Sequence, residues 1–95
     1  MLTEKTINIL KEKAAFYKVK KLLLFGSCLH KPEEEANDID LLVEIDRINY
    51  LPLGSDLFWD EDINKSIDLI DMSSDIPMMP AILEDAVVIY EAQDY

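Results

Sequence analysis

The side chains of this chain that could take part in a reaction are concentrated in residues 25–41, whose sequence is FGSCLHKPEEEANDIDL. An apolar residue precedes Gly26-Ser27, ten residues follow, and Asp38 and Asp40 then flank one apolar residue. Alternate residues of a β-strand point to the same face, so the two carboxylates would lie side by side. Neighbouring carboxylates repel one another unless a cation lies between them, and hard oxygen ligands completed by phosphate suit Mg²⁺. The pattern therefore predicts a magnesium and phosphate site.

Gly26 and Ser27 are predicted to hold the phosphate. Gly26 directly follows an apolar run, where a residue without a side chain lets the backbone turn sharply and lets a phosphate approach closely. Ser27 then opens a helical turn, whose hydroxyl and free N–H groups favour an anion. Gly54-Ser55 repeats the dipeptide, but Pro52 precedes it and no Asp-x-Asp follows at the required distance. We interpret the second dipeptide as a helix cap.

A third carboxylate would complete a site for metal-assisted phosphoryl chemistry. The segment Ile67–Asp71 offers Asp68, whose apolar neighbours make an unpaired acid costly unless it is used. Asp71 is the weaker candidate because it stands at the end of the predicted strand. The run Asp60–Asp71 also imitates a calcium-binding loop, but its sixth position is Lys65, where the sharp turn of that loop requires glycine. We therefore favour Asp68 as the third acid.

Hydrophobic periodicity and chain breakers predict the elements that must position these residues. The predicted strands are Leu22–Phe25, Ile39–Ile45, Ile67–Asp71 and Ala86–Tyr90, and the predicted helices are one capped by Thr3 and running through about Tyr17, one capped by Ser55 and running through about Lys65, and Met78–Glu84. Asp46–Leu53 is predicted to be irregular because it contains Pro52, and Pro77 is placed in the first turn of the last helix. The alternation predicts an α/β fold: a single small mixed sheet of about four strands with helices packed on it, forming one domain over residues 1–95.

Composition and charge restrict the function. Hydrophobic residues form 49% of the 95-residue chain, which suits one globular core and argues against disorder. The net charge is −11, a surface that repels nucleic acid and attracts a basic protein or divalent cations. No apolar run reaches the roughly 18 residues of a membrane span, the N-terminus lacks signal-peptide features, and Cys28 has no second cysteine to pair with. We expect a cytoplasmic protein without direct contact to nucleic acid or membrane.

The motifs resemble those of the polymerase-β-like nucleotidyltransferases. They are most similar to the minimal nucleotidyltransferase (MNT) proteins of bacteria and archaea, which pair with HEPN-domain ribonuclease toxins and serve as their antitoxins. The shared features are the Gly-Ser, ten-residue, Asp-x-Asp spacing, the helix before the first strand, the IDLI segment at 67–70 and the closing segment at 82–91. The resemblance covers nearly the whole chain and implies the polymerase-β-like nucleotidyltransferase fold.

The resemblance also implies roles for the site residues. Gly26 and Ser27 would bind the nucleotide phosphates, Asp38 and Asp40 would bind Mg²⁺, and Asp68 would be the third acid, which makes all three acids metal ligands and catalytic residues. The implied reaction is Mg²⁺-dependent transfer of a nucleoside monophosphate, AMP from ATP, to a hydroxyl. In the antitoxin group that hydroxyl belongs to a tyrosine of the HEPN toxin.

The chain departs from the family pattern after Gly-Ser. Members commonly continue with Arg-x-Arg-Gly, whereas residues 28–31 are Cys-Leu-His-Lys. Neither His nor Lys reproduces the bidentate contact of Arg with phosphate. Two alternatives to an active enzyme follow: an antitoxin that neutralises its partner by binding alone, and a nucleotide-binding regulatory module. The apolar residues 57–59 leave a homo-oligomer face, a partner face and a cap on the core as open interpretations.

Overall fold

The structure is a computed structural model that describes residues 1–93. Its elements are α1 (Glu4–Phe16), β1 (Lys21–Phe25), β2 (Asp38–Glu44), α2 (Arg47–Phe58), β3 (Ser66–Asp71), α3 (Met79–Asp85) and β4 (Val87–Glu91), with 3₁₀ turns at Gly26–Leu29 and Glu33–Glu35. The strands form one sheet in the order β3-β2-β1-β4. Strand β1 runs antiparallel to β2 and β4, whereas β2 and β3 are parallel. This mixed four-stranded sheet with its helices confirms the predicted fold class.

The two faces of the sheet carry separate apolar clusters. On one face, Leu24 and Leu41 belong to a cluster that includes Leu10 of α1 and Leu53 of α2. On the other face, Leu23 and Leu42 pack against residues of α3. Because β1 and the middle of β2 are buried on both faces, residues 22–25 and 41–43 are continuous apolar runs in the sequence. None of the helices between residues 1 and 93 is both long enough and apolar enough to cross a membrane.

Helix α1 begins where the sequence predicts. The side-chain oxygen of Thr3 accepts a hydrogen bond from the Thr6 N–H at 3.2 Å, which satisfies one of the free donors of the first turn. Leu10 and Ala14 lie one turn apart and are buried. After the helix, Lys18 adopts a left-handed conformation with φ of 58°, and this residue turns the chain into β1.

Helix α2 corrects the sequence prediction. The sequence predicts an irregular stretch through Leu53 and a helix from Ser55 to about Lys65, but α2 is continuous over Arg47–Phe58, with Pro52 in its interior and Ser55 close to its end. A proline inside a helix costs about 3 kcal/mol. Leu53 and Leu57 are buried against the sheet, and burial of two leucine side chains contributes about 3–6 kcal/mol. Tertiary packing therefore outweighs the local penalty of Pro52.

The start of α3 is a smaller correction. Pro77 was predicted in the first helical turn, but Met79 is the first residue of α3 and Pro80 occupies that turn. The Met79 N–H donates to the Ile76 carbonyl at 3.1 Å, so Pro77 lies in the tight turn that precedes the helix. Both prolines fit these positions because neither position requires a backbone donor.

Lys13 connects the two long helices. Its Nζ lies 2.6 Å from Oδ1 of Asp56 and 3.0 Å from Oδ2 of Asp60. The Tyr17 hydroxyl donates a further hydrogen bond to Asp56 at 2.7 Å. The hydrogen bonds from Lys13 are the main cause that lowers the pKa of Asp56 and of Asp60. Each carboxylate therefore stabilises the fold above its ordinary pKa, and this contribution is lost as the pH falls through its lowered pKa.

We expect Lys13→Met to lower the free energy of unfolding by about 1–2 kcal/mol at pH 7, because it leaves two partly buried carboxylates without their cation. The loss should shrink towards pH 3, where the carboxylates are becoming protonated. Urea unfolding at both pH values measures it. Lys5→Met is the control, since its exposed Nζ is 4.0 Å from Asp62, and it should change little. An equal loss from Lys13→Met at both pH values would contradict an ion-pair origin.

Candidate functional site

The register of the sheet brings the predicted acids to one face. Asp40 in β2 pairs with Asp68 in β3, and Asp38 pairs with Ser66. Adjacent strands lie about 4.8 Å apart, and paired residues of neighbouring strands point to the same face. Asp38 and Asp40 share that face because they are two residues apart. All three carboxylates therefore belong to one group at the beginning of β2 and β3.

This group lies on the face of the sheet opposite to α1 and α2. Further along the same face, Leu42 and Ile70 belong to the apolar cluster that packs with α3. Asp38 and Asp40 are half-buried, and Asp68 is exposed. The acids are thus supported from behind by the main core and remain accessible from the front.

Gly26 lies directly beside this group. Phe25, the last residue of β1, pairs with Asp40, so the turn after β1 begins directly beside that carboxylate. Gly26 has φ of +78°, a conformation that favours glycine. A Cβ atom at this position would lie 2.2 Å from Oδ2 of Asp40. Glycine is therefore required both by the turn and by the position of Asp40, which is a constraint beyond the predicted phosphate approach.

Ser27 follows in the 3₁₀ turn and is half-buried. Its carbonyl accepts hydrogen bonds from the N–H groups of His30 at 3.1 Å and Lys31 at 3.0 Å, which close the turn. The first N–H groups of such a turn have no acceptor within it. The fully buried Cys28 donates from Sγ to the Asp38 carbonyl at 3.4 Å, and burial raises the pKa of its thiol. Cys28 is therefore a packing residue that attaches the turn to β2.

Burial is the main cause that raises the pKa of Asp40, followed by the negative charges of Asp68 and Asp38. A cation would relieve the repulsion among these groups. Carboxylate oxygens are hard donors that suit Mg²⁺, so the chemistry of the donor set fits this metal. Within residues 1–93, no three His, Cys, Asp or Glu side chains are placed so that together they could hold a metal ion. A metal bound by fewer of these carboxylates would take its remaining oxygens from a ligand such as a phosphate.

The loop between the Gly-Ser turn and β2 is attached to the start of α1. The Glu33 carboxylate accepts hydrogen bonds from the Thr3 N–H and the Thr6 hydroxyl, each at 3.0 Å. Lys65 Nζ donates to the Glu34 carbonyl at 3.1 Å, which joins the loop to the residues before β3. A surface depression of about 450 Å³ lies between these segments. Sequence reasoning missed Glu33, because a contact between residues about 30 positions apart has no local signal.

Tyr50 is a second residue that sequence reasoning missed. Its hydroxyl donates to the Leu69 carbonyl, next to Asp68 in β3. Strand β3 lies at the edge of the sheet, so this bond satisfies a backbone group that no neighbouring strand can reach. Nothing in the local sequence indicates this hydrogen bond, because Pro52 predicts an irregular segment around Tyr50.

The alternatives considered for the acids at 60–71 do not match the structure. Residues 66–71 form β3, which leaves no calcium-binding loop there. Asp60 contacts Lys13, and Asp71 accepts hydrogen bonds from the N–H and hydroxyl of Ser73 in the turn after β3. Asp71 thus takes part in the turn after β3. Gly54-Ser55, predicted as a helix cap, lies inside α2 instead.

Comparison with known proteins points to one family. Residues 4–95 match the family described as Polymerase beta, Nucleotidyltransferase. A protein of Methanocaldococcus jannaschii named "Putative protein adenylyltransferase" is 49% identical over 43 residues. That match spans 45% of this chain and 40% of the relative, so less than half of the relative is represented.

Solved structures share the fold. A chain of the toxin-antitoxin complex MntA-HepT aligns with a TM-score of 0.66 and 18% identity, over 96% of this chain and 74% of that chain. A toxin-antitoxin structure with AMP-PNP gives 0.63 and 20%, over 96% and 76%. A complex of the tri-AMPylated Shewanella oneidensis HEPN toxin with its MNT antitoxin gives 0.56 and 19%, over 92% and 74%. At these identities the likeness shows a common fold, and it confirms the polymerase-β-like architecture.

Proposed function

Because the chain belongs to the polymerase-β nucleotidyltransferase family, we propose that it transfers AMP from ATP to a protein hydroxyl. The observation that carries the proposal is the grouping of Asp38, Asp40 and Asp68 on one accessible face beside the Gly26 turn. The adenylyltransferase name of the archaeal relative supports AMP as the transferred group, as do the AMP-PNP and the AMPylated toxin of the similar structures.

The position of each side chain suggests its role. The hydroxyl of Ser27 and the free N–H groups of its turn bind the phosphates, while Gly26 lets Asp40 stand beside that turn. Asp38 and Asp40, with Asp68, would hold Mg²⁺, which when bound neutralises charge on the transferring phosphoryl group. Asp68, the exposed acid of the three, orients the acceptor hydroxyl and takes its proton.

We further propose that the acceptor is a tyrosine of a HEPN-domain toxin and that this chain is its antitoxin. The MntA-HepT and MNT–HEPN complexes with the same fold support this choice. The net charge of −11 also suits association with a basic ribonuclease. We place both proteins in the prokaryotic cytoplasm.

One observation favours a second candidate, an antitoxin that acts by binding alone. At position 28 the family commonly carries the first arginine after Gly-Ser, whereas Cys28 is fully buried and contacts the backbone of β2. His30 is exposed but offers no planar fork of donors for a phosphate. A chain that lacks both arginines would bind ATP weakly and would still be able to cover its partner.

The test is incubation of the chain with ATP labelled at the α-phosphate, Mg²⁺ and a purified HEPN-domain protein of the source organism. We expect label on a tyrosine of that protein, release of pyrophosphate, and loss of both when EDTA removes the metal. Inhibition of the ribonuclease without any label would select the binding-only candidate. Absence of both label and inhibition would overturn the proposed function.

A further inference from the structure

Helix α2 is apolar on both sides. Its inner side buries Leu53 and Leu57. Its outer side exposes four large apolar side chains, with exposed fractions of 82% for Ile48, 77% for Leu51, 76% for Phe58 and 76% for Trp59. At about 100° per residue these four positions fall on one side of the helix, together with Pro52 and Ser55 and no charged residue. We call this surface the α2 stripe.

The α2 stripe has the size and composition of an interface core. Phe and Trp side chains can bury about 150–250 Å² each, so Phe58 and Trp59 alone offer roughly 300–500 Å², to which Ile48 and Leu51 add. A stable interface uses about 800 Å² per partner. The rings of Phe58 and Trp59 meet edge to face with centroids 5.0 Å apart, which gives the stripe a preformed aromatic anchor.

Charge identifies the kind of molecule that would cover the stripe. Residues 44–62, which include α2 and both of its flanks, hold six acidic residues and one basic residue. Lysines outside this segment pair with four of these acids, Asp46, Asp56, Asp60 and Asp62, so the acidity that favours a basic partner is that of the whole chain, whose net charge is −11. Two copies joined through the stripe would repel each other. A protein with an apolar centre surrounded by Lys and Arg would instead meet complementary charge.

We propose that the α2 stripe is the docking surface for a basic protein partner. The inference rests on the proposed antitoxin function for the existence of that partner. Because α2 packs on the face of the sheet opposite to Asp40 and Asp68, docking there leaves the carboxylate face free. Binding of the partner and transfer of AMP would then use separate surfaces. One partner molecule could therefore be docked on the α2 stripe while a second partner molecule receives AMP at the carboxylate face.

The test measures the dissociation constant for a purified HEPN-domain protein of the source organism, by calorimetry with the full chain. We expect Leu51→Glu and Trp59→Ala each to weaken binding by about 30-fold or more. Neither should unfold the chain, since both side chains are exposed, and circular dichroism checks this. Met78→Glu, at an apolar residue that is 67% exposed beside α3, is the matched control and should stay within about threefold.

The salt dependence of binding distinguishes a basic partner from a second copy of this chain. Added salt should weaken binding to a basic partner, whereas it would strengthen contact between two acidic copies. Sedimentation of the chain alone should show a monomer.

A dimer that Leu51→Glu dissociates would overturn the inference, as would unchanged affinity of both stripe variants. Failure of the unmodified chain to bind the HEPN-domain protein would overturn the inference together with the proposed partner. If the stripe binds the partner but no AMP is transferred, the proposed activity fails and the inference stands.

Discussion

Asp40→Asn should reduce AMP transfer by at least about 10³-fold while leaving the fold as stable as before or more so. Asp40 pairs with Asp68 across the strands, lies two residues from Asp38 and stands against Gly26, so it is central to the site. Asparagine keeps the size of the side chain but removes the charge that would bind Mg²⁺. Label transfer and pyrophosphate release measure the loss. Mg²⁺ with ATP should raise the unfolding temperature of the original chain and not of the variant.

The expected gain in stability follows from the direction of the pKa shift. The pKa of Asp40 is raised in the folded chain, mainly by burial. Its contribution to stability is therefore present below the unfolded pKa and is lost as the pH rises through the folded pKa. At pH 7 the ionised carboxylate opposes folding, and asparagine removes that effect.

Urea unfolding at pH 7 and near pH 3 checks this expectation. The advantage of Asp40→Asn should shrink at the lower pH, where Asp40 of the original chain becomes protonated. Asp75→Asn, in an exposed loop, is the control and should leave both activity and stability unchanged. A variant that keeps most of its activity, or that is clearly less stable than the original chain at pH 7, would refute the role assigned to Asp40.

Gly26→Ala should lower the free energy of unfolding by about 2–4 kcal/mol, from backbone strain and from overpacking together. The residue has φ of +78°, and the added Cβ would lie 2.2 Å from Oδ2 of Asp40. Either the turn or the carboxylate must move. We therefore expect the loss of stability to be accompanied by a loss of AMP transfer that is larger than the unfolded fraction explains. Urea unfolding and label transfer on the same preparation separate the two effects.

Gly54→Ala is the matched control for that variant, with the opposite expected sign. Gly54 lies inside α2, and its nearest added contact would be Leu69 Cδ2 at 3.9 Å, which is an ordinary distance. Alanine in a helix interior should stabilise the chain by about 0.5–1 kcal/mol relative to glycine. Transfer of AMP should be unchanged. Equal destabilisation by both substitutions would show that glycine at position 26 has no special relation to Asp40.

The grouping of Asp38 with Asp40 follows from local sequence, because strand periodicity determines which residues of one strand share a face. Asp38 and Asp40 alternate with apolar residues, and Asp68 lies within another short apolar run, so the shared face could be expected. The pairing of Asp40 with Asp68 also needs β2 and β3 to be neighbours in the correct register, which the sequence does not predict and the structure shows.

Helix α2 could not be predicted from its own residues. Pro52 is a strong local signal against a helix, and the burial that outweighs it depends on a sheet formed by segments before and after α2 in the chain. The contacts of Glu33 with Thr6 and of Tyr50 with Leu69 had the same limitation, since each joins residues far apart in sequence. The candidate acids can therefore be recognised in the sequence, whereas α2 and the long-range contacts around them cannot.

The buried thiol in the turn after β1 gives the protein its own chemical reporter. Cys28 is the only cysteine of the chain, and its sulfur is sealed between that turn and the Asp38 backbone. An alkylating reagent can reach it only while the turn is detached from β2. The rate of alkylation in the folded protein therefore measures how often the turn separates from β2. A bound nucleotide would slow this alkylation, so its binding could be followed without introducing another cysteine.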